Sequence, residues 1–192
     1  MKGCAPLSPG QLDDALRRLR GRHRLRDRAL LTLGVFSGLR ISELLSLRVG
    51  QVFDGNQMRT RFYLDRRATK GKVHGASIVL HPKAAMALAR WLASRAEVGP
   101  GDYLFPSQRC AARPVGRRWV SRLLERAFRQ AGVDGMPGTH CMRKTFAANV
   151  HRALQGDLFG LSRALRHSSP LTTLAYLSFN QDKIDRAILC TR

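Results

Sequence analysis

The sequence predicts a mainly α-helical fold with one small antiparallel β-sheet, an α+β class domain. Three observations carry this reading. Apolar residues recur at helical spacing through most of the chain, the period changes only between Val52 and Leu80, and Gly, Pro and Asn punctuate the segments. With 192 residues, 44% hydrophobic and 24% charged, the chain can bury a real core, and it is read as one domain over 1–192.

Ser8-Pro9-Gly10-Gln11 offers an N-cap, a proline at the first helical position and a capping-box Gln, after which Leu12, Ala15, Leu16 and Leu19 mark a first helix. A second runs through Leu30–Phe36 and stops at Ser37-Gly38. A third starts close to Arg40 and carries Ile41, Leu44, Leu45 and Leu47. Phe53–Asn56 reads as a turn and Arg61–Leu64 as a strand. Thr69–Lys72 is a hairpin tip, and Ser77–Leu80 is the returning strand. A helical pattern resumes from Ala84 to Ala96 and breaks at Gly99-Pro100-Gly101. Trp119–Ala131 is strongly amphipathic: Trp119, Val120, Leu123, Leu124, Ala127 and Phe128 form one face, and Arg118, Arg122, Arg126 and Arg129 stack on another. Further helices are expected over Thr139–His151, Leu158–Leu165 and Thr172–Tyr176. Ile184, Ala187 and Ile188 suggest a tail helix within 177–192.

Charge narrows the function. Thirty-four Lys and Arg against 13 Asp and Glu give a formal +21. A polyanion relieves the resulting self-repulsion, and nucleic acid is the leading candidate because neutralising its phosphates also releases condensed counterions. The arginine stripe of the amphipathic helix suits a groove or a phosphate backbone. Apolar stretches fall short of the roughly 20 residues that span a bilayer, and the first residues lack the apolar core of a secretory signal. No membrane partner and a cytoplasmic location are therefore expected. Four cysteines without a CxxC pair, and six histidines without HExxH, indicate neither a disulfide framework nor a metal site, so no cofactor is expected.

Three segments carry the chemistry. Ser37-Gly38-Leu39-Arg40-Ile41-Ser42-Glu43-Leu44 places Arg40 at a helix start. Thr139-His140-Cys141-Met142-Arg143 sets His140 and Arg143 three apart on a helix. Leu165-Arg166-His167-Ser168-Ser169-Pro170-Leu171-Thr172-Thr173-Leu174-Ala175-Tyr176 places a tyrosine nine residues after a histidine. Taken singly each is weak. Together, in this order and spacing over roughly residues 7–190, they resemble the catalytic domain of the tyrosine recombinase (phage integrase) family.

That resemblance implies a site-specific recombinase that cleaves and rejoins DNA through a covalent 3′-phosphotyrosyl intermediate on Tyr176. Arg40 and Arg143 would hold the non-bridging phosphate oxygens with charge-assisted, fork-like hydrogen bonds. His140 and His167 would add hydrogen bonds or help take the tyrosine proton. Lys70, in the predicted hairpin, would protonate the departing 5′-hydroxyl, with Lys72 as its rival. Glu43 either orients Arg40 or makes a helix-surface salt bridge. The arginines supply the positive charge that a metal ion supplies elsewhere.

The sequence also departs from the family pattern. Arg166 stands where the family usually has Gly and is a further candidate for DNA contact. Lys144 replaces a frequent His and Met142 a frequent Leu. The separate N-terminal core-binding domain of typical members is expected to be absent. The tail helix would dock on a neighbouring protomer, within a tetramer on DNA. Two alternatives stay open: a type IB topoisomerase-like relaxing enzyme, and a non-catalytic DNA-binding accessory protein on the same fold.

Overall fold

A computed structural model describes residues 4–65, 75–167, 171–174 and 189. It divides into two compact units, 1–146 and 147–192. Among the described residues the elements run α1 (Pro9–Arg18), α2 (Arg24–Ser37), α3 (Ile41–Ser46), α4 (Val49–Val52), β1 (Arg61–Leu64), β2 (Ala76–Val79), α5 (Pro82–Ala93), α6 (Arg117–Gln130), α7 (Thr139–Ala153), α8 (Leu158–Leu165) and α9 (Leu171–Leu174).

The first unit is built on α2, which packs against α5 while α1 and α3 pack against α6. Helix α1 begins as its sequence requires: Ser8 Oγ accepts from Gln11 N–H, and Gln11 Oε1 accepts from Ser8 N–H. Leu30, Leu31, Leu33, Leu44, Leu88, Phe105, Leu124 and Phe128 are buried in one core. Strands β1 and β2 pair antiparallel, with Phe62 opposite Ile78 on the buried face and Tyr63 opposite Ser77 on the exposed one.

Helix α2 starts six residues before the Leu30 expected from apolar spacing, because it accommodates a buried ion pair. Arg26 Nε donates to Asp27 Oδ1 at 2.9 Å, its Nη1 donates to the Pro106 carbonyl at 3.2 Å, and both residues are buried. Burial pushes the Asp27 carboxyl above the usual range, against the pull of Arg26. The same guanidinium lies 4.7 Å from the centre of the Trp119 ring. Trp119 was expected on the apolar face of its helix; it is instead exposed and stacks on this cation. Helix α4 also went unpredicted, since four residues are too short to show a period.

Two close approaches set α7 on α2. A Cβ on Gly34 would meet Met142 Sδ at 2.4 Å, and one on Gly38 would meet Phe146 Cδ1 at 2.3 Å. The segment before α1 is strapped to α7 as well. Leu7 N–H donates to Thr145 Oγ1 at 2.8 Å, and Lys144 Nζ donates to the Cys4 carbonyl at 2.9 Å. Cys4 and Cys141, both buried thiols, hydrogen-bond to each other. That bond brings the Cys4 thiol down to about 7 and, together with burial, pushes Cys141 up.

The second unit contains α8 and α9, which pack together. Asp157 caps α8 by accepting from the N–H groups of Phe159 and Gly160. Arg166 ends the helix in the left-handed conformation, φ 56° and ψ 45°. The N–H of His167 then turns back to the Ser162 carbonyl at 3.1 Å, closing a Schellman-type stop. Glycine is the residue favoured at such a position, and here an arginine adopts it.

Candidate functional site

The turn between α2 and α3 is the foundation of the site. Gly38 has φ 60°, so the chain reverses there without the penalty a Cβ would impose. The turn delivers Arg40 to the start of α3. Glu43, one turn into that helix, accepts from the Arg40 backbone N–H at 2.8 Å and from Arg40 Nη1 at 2.9 Å. The Glu43 side chain is fully buried, while that of Arg40 is 28% exposed. Of the two readings for Glu43, the helix-surface salt bridge does not match this burial. A carboxylate taken out of water holds its cationic partner in one place, because moving that partner leaves a buried charge uncompensated.

Helix α7 brings the second guanidinium. Arg143 is buried and donates from Nη1 to the Gly38 carbonyl, 105 positions away in sequence. It thereby engages the turn that carries Arg40, two residues on. His140, one turn earlier on α7, is exposed. Desolvation by neighbouring protein depresses its imidazole below the ordinary value, and the cations Arg117, Arg143 and Lys144 depress it further. This first unit therefore gathers Arg40, Glu43, His140 and Arg143, each predicted from sequence, around the α2–α3 turn and the start of α7.

In the second unit, His167 is half-buried and its Nδ1 lies 2.9 Å from Thr173 Oγ1. Thr173 is fully buried. The sequence alone does not single it out, since a hydroxyl in a Thr-Thr pair reads as solvent-facing, and only the tertiary contact distinguishes it. The Arg166 side chain is half-buried, and its Nη1 donates to the Ala164 carbonyl at 3.4 Å. Lys70, Lys72 and Tyr176 lie outside the described residues, as does the predicted tail over 177–192 apart from Leu189.

Arg118, Arg122, Arg126 and Arg129 are all exposed on α6, so the basic stripe forms as its spacing requires. Its members are not equivalent. Arg129 is paired with Glu125 at 3.0 Å, which offsets part of its charge. A groove of about 370 Å³ beside β1 adds Arg59 and Arg61 to the basic surface; neither was singled out from the sequence. Among the described residues, no three or more His, Cys, Asp and Glu gather as a metal-binding group, and no helix is long and apolar enough to cross a membrane.

Comparison with known proteins gives a consistent picture. The family model described as "Phage integrase family" matches residues 7–183. The probable integrase/recombinase YoeC of Bacillus subtilis is 31% identical over 157 residues, covering 82% of this chain and 80% of that protein. The tyrosine recombinase XerC of Ralstonia pickettii is 32% identical over 168 residues, covering 81% of this chain and 50% of that protein. Against that relative, the present chain spans half the length. Among solved structures, XerH recombinase in a post-cleavage complex with palindromic difH substrate superposes with a TM-score of 0.76 at 23% identity, over 96% of this chain and 52% of that one. XerA recombinase gives a TM-score of 0.75 at 21% identity, over 98% of this chain and 64% of that one. The fold is that of these recombinases' catalytic domains.

Proposed function

This chain belongs to the phage integrase family, and from that membership we propose that it is a site-specific DNA recombinase working through a covalent phosphotyrosine. The observation that carries the proposal is the reach of Arg143 to the Gly38 carbonyl, beside an Arg40 held by buried Glu43. Two guanidiniums anchored by the protein can grip one phosphodiester without reorganising during reaction.

In the proposed reaction the Tyr176 hydroxyl attacks the scissile phosphorus. Arg40 and Arg143 offset the charge that builds on the non-bridging oxygens of the transition state. His140 and His167 hydrogen-bond the same phosphate or take the phenolic proton. Lys70 gives a proton to the departing 5′-oxygen, with Lys72 as the neighbouring alternative. The phosphotyrosyl bond conserves the energy of the broken phosphodiester, so a 5′-hydroxyl of another strand can reverse the step without ATP. Arg118, Arg122, Arg126, Arg129 and Arg166 would contact the backbone of double-stranded DNA. Exchange of four strands calls for a homotetramer on DNA, in the cytoplasm, with the 177–192 tail docking on a neighbouring subunit.

The test is covalent capture. The protein is incubated with a nicked duplex whose sequence is selected by this protein from a random library, then denatured in SDS. An SDS-resistant protein–DNA adduct is expected, and its loss in Tyr176→Phe. DNA binding without any adduct would return the chain to the accessory class. Relaxation of supercoiled plasmid without synapsis would favour the topoisomerase-like alternative.

A further inference from the structure

We propose that Thr173 is a positioning residue for His167, fixing the rotation of its imidazole. The inference rests on His167 acting at the phosphate, as proposed above, and it adds a residue to that site.

Both ends of His167 are held. Its backbone N–H is committed to the Ser162 carbonyl at 3.1 Å by the left-handed stop at Arg166, so its Cα is fixed to the end of α8. That leaves two side-chain torsions to settle. The contact of 2.9 Å between Nδ1 and Thr173 Oγ1 settles them, because a ring flip or a change of rotamer would break it. The bond is strong in context. Thr173 is fully buried, and a buried hydroxyl that loses its partner carries the full cost of its desolvation. The hydroxyl is therefore not free to release the ring to water.

The same bond serves either tautomer. In neutral imidazole one ring nitrogen carries the proton and the other accepts. A hydroxyl that donates to Nδ1 places the proton on Nε2; one that accepts keeps it on Nδ1. A hydroxyl can do either, so Thr173 holds the orientation of the ring in both states. Thr173 also belongs to α9, three positions before Tyr176 in sequence, so one short segment carries both the proposed nucleophile and the group that orients the histidine.

The experiment uses Thr173→Val, which keeps the shape and removes the hydroxyl, and Thr173→Ser, which restores it. Two readouts are taken on the full chain. The first is the ¹⁵N spectrum of the histidine rings without DNA, assigned with His167→Gln. The second is the single-turnover rate of adduct formation, and its half-saturating DNA concentration, on the nicked duplex described above. In T173V the His167 Nδ1 shift is expected to move away from its value in the parent chain, because that nitrogen loses its hydroxyl partner. The saturating rate should fall about 10- to 100-fold, as expected for a misplaced catalytic group, while half-saturation stays the same. T173S should restore both. Unchanged His167 ring signals in T173V would overturn the proposal, whether or not any adduct forms. An unchanged adduct rate in T173V would overturn it too. If the parent chain forms no adduct at all, the recombinase reading fails, and the nitrogen spectrum alone decides the role of Thr173.

Discussion

The guanidinium of Arg143 donates to the carbonyl oxygen of Gly38, two residues before Arg40. One backbone turn thus receives the second cation of the site and positions the first, and Gly38 bears both duties in a left-handed conformation with Phe146 packed against it. Gly38→Ala should cost about 3 kcal/mol in stability, from the left-handed backbone and the forced repacking of Phe146. Urea denaturation measures this, and a loss under about 0.5 kcal/mol, the range of ordinary surface changes, would show that the turn tolerates a Cβ.

Arg40 and Glu43 should separate by size of effect. Arg40→Ala should slow adduct formation on the selected duplex by about 10²–10³-fold, the usual cost of one preorganised donor. Glu43→Gln keeps the shape and a hydrogen-bond acceptor but weakens the anchor, so a loss nearer tenfold is expected, with DNA affinity intact, as for groups that orient a primary ligand. Equal rates for E43Q and the parent chain would reduce Glu43 to a structural cap of α3.

His140 should make DNA binding pH-dependent. Its imidazole is held below the ordinary value in the DNA-free protein. A phosphate beside it favours the charged form, so binding takes up a proton. Affinity should therefore rise as pH falls through the histidine range toward that depressed value, with His140→Gln flattening the profile. Parallel profiles for parent and variant would remove His140 from the phosphate.

Much of the candidate site was legible because the chemistry proposed for it rests on residue type and spacing. Arg40, His140 and Arg143 stand in patterns that survive without knowledge of packing. Glu43 was half-legible: its spacing from Arg40 is visible in sequence, but its burial is a tertiary property. Arg26 and Asp27 were not singled out, since their burial as a pair is likewise a tertiary property. Thr173 left no trace, because its partner is set by how α9 packs on α8. The strands and α6 were legible to within a few residues, as periods of two and 3.6 depend on burial of one face.

The basic stripe of α6 should be uneven in its contribution. Arg122→Ala with Arg126→Ala should flatten the slope of log K against log[salt] by about 2, near 0.9 per phosphate contact. Arg129→Ala should change it less, because Glu125 already offsets that charge. Nitrocellulose filter binding over a range of KCl would show this, and equal effects for the three arginines would contradict it.

Arg166→Gly should stabilise the protein by about 0.5–1 kcal/mol, since glycine adopts the left-handed stop without the Cβ penalty, less the extra chain entropy it adds to the unfolded state. Guanidinium chloride denaturation tests this. A destabilised variant would mean that the arginine side chain contributes more than its backbone costs.

The strap formed by Leu7 on Thr145 and Cys4 on Lys144 gives the molecule a lever. The segment ahead of α1 is tied to residues one and two places beyond Arg143, on the helix that presents that arginine to the α2–α3 turn. Cys4 and Leu7 are themselves buried in the core, so a pull on the leading segment loads α7 beside Arg143 and the hydrophobic interior together.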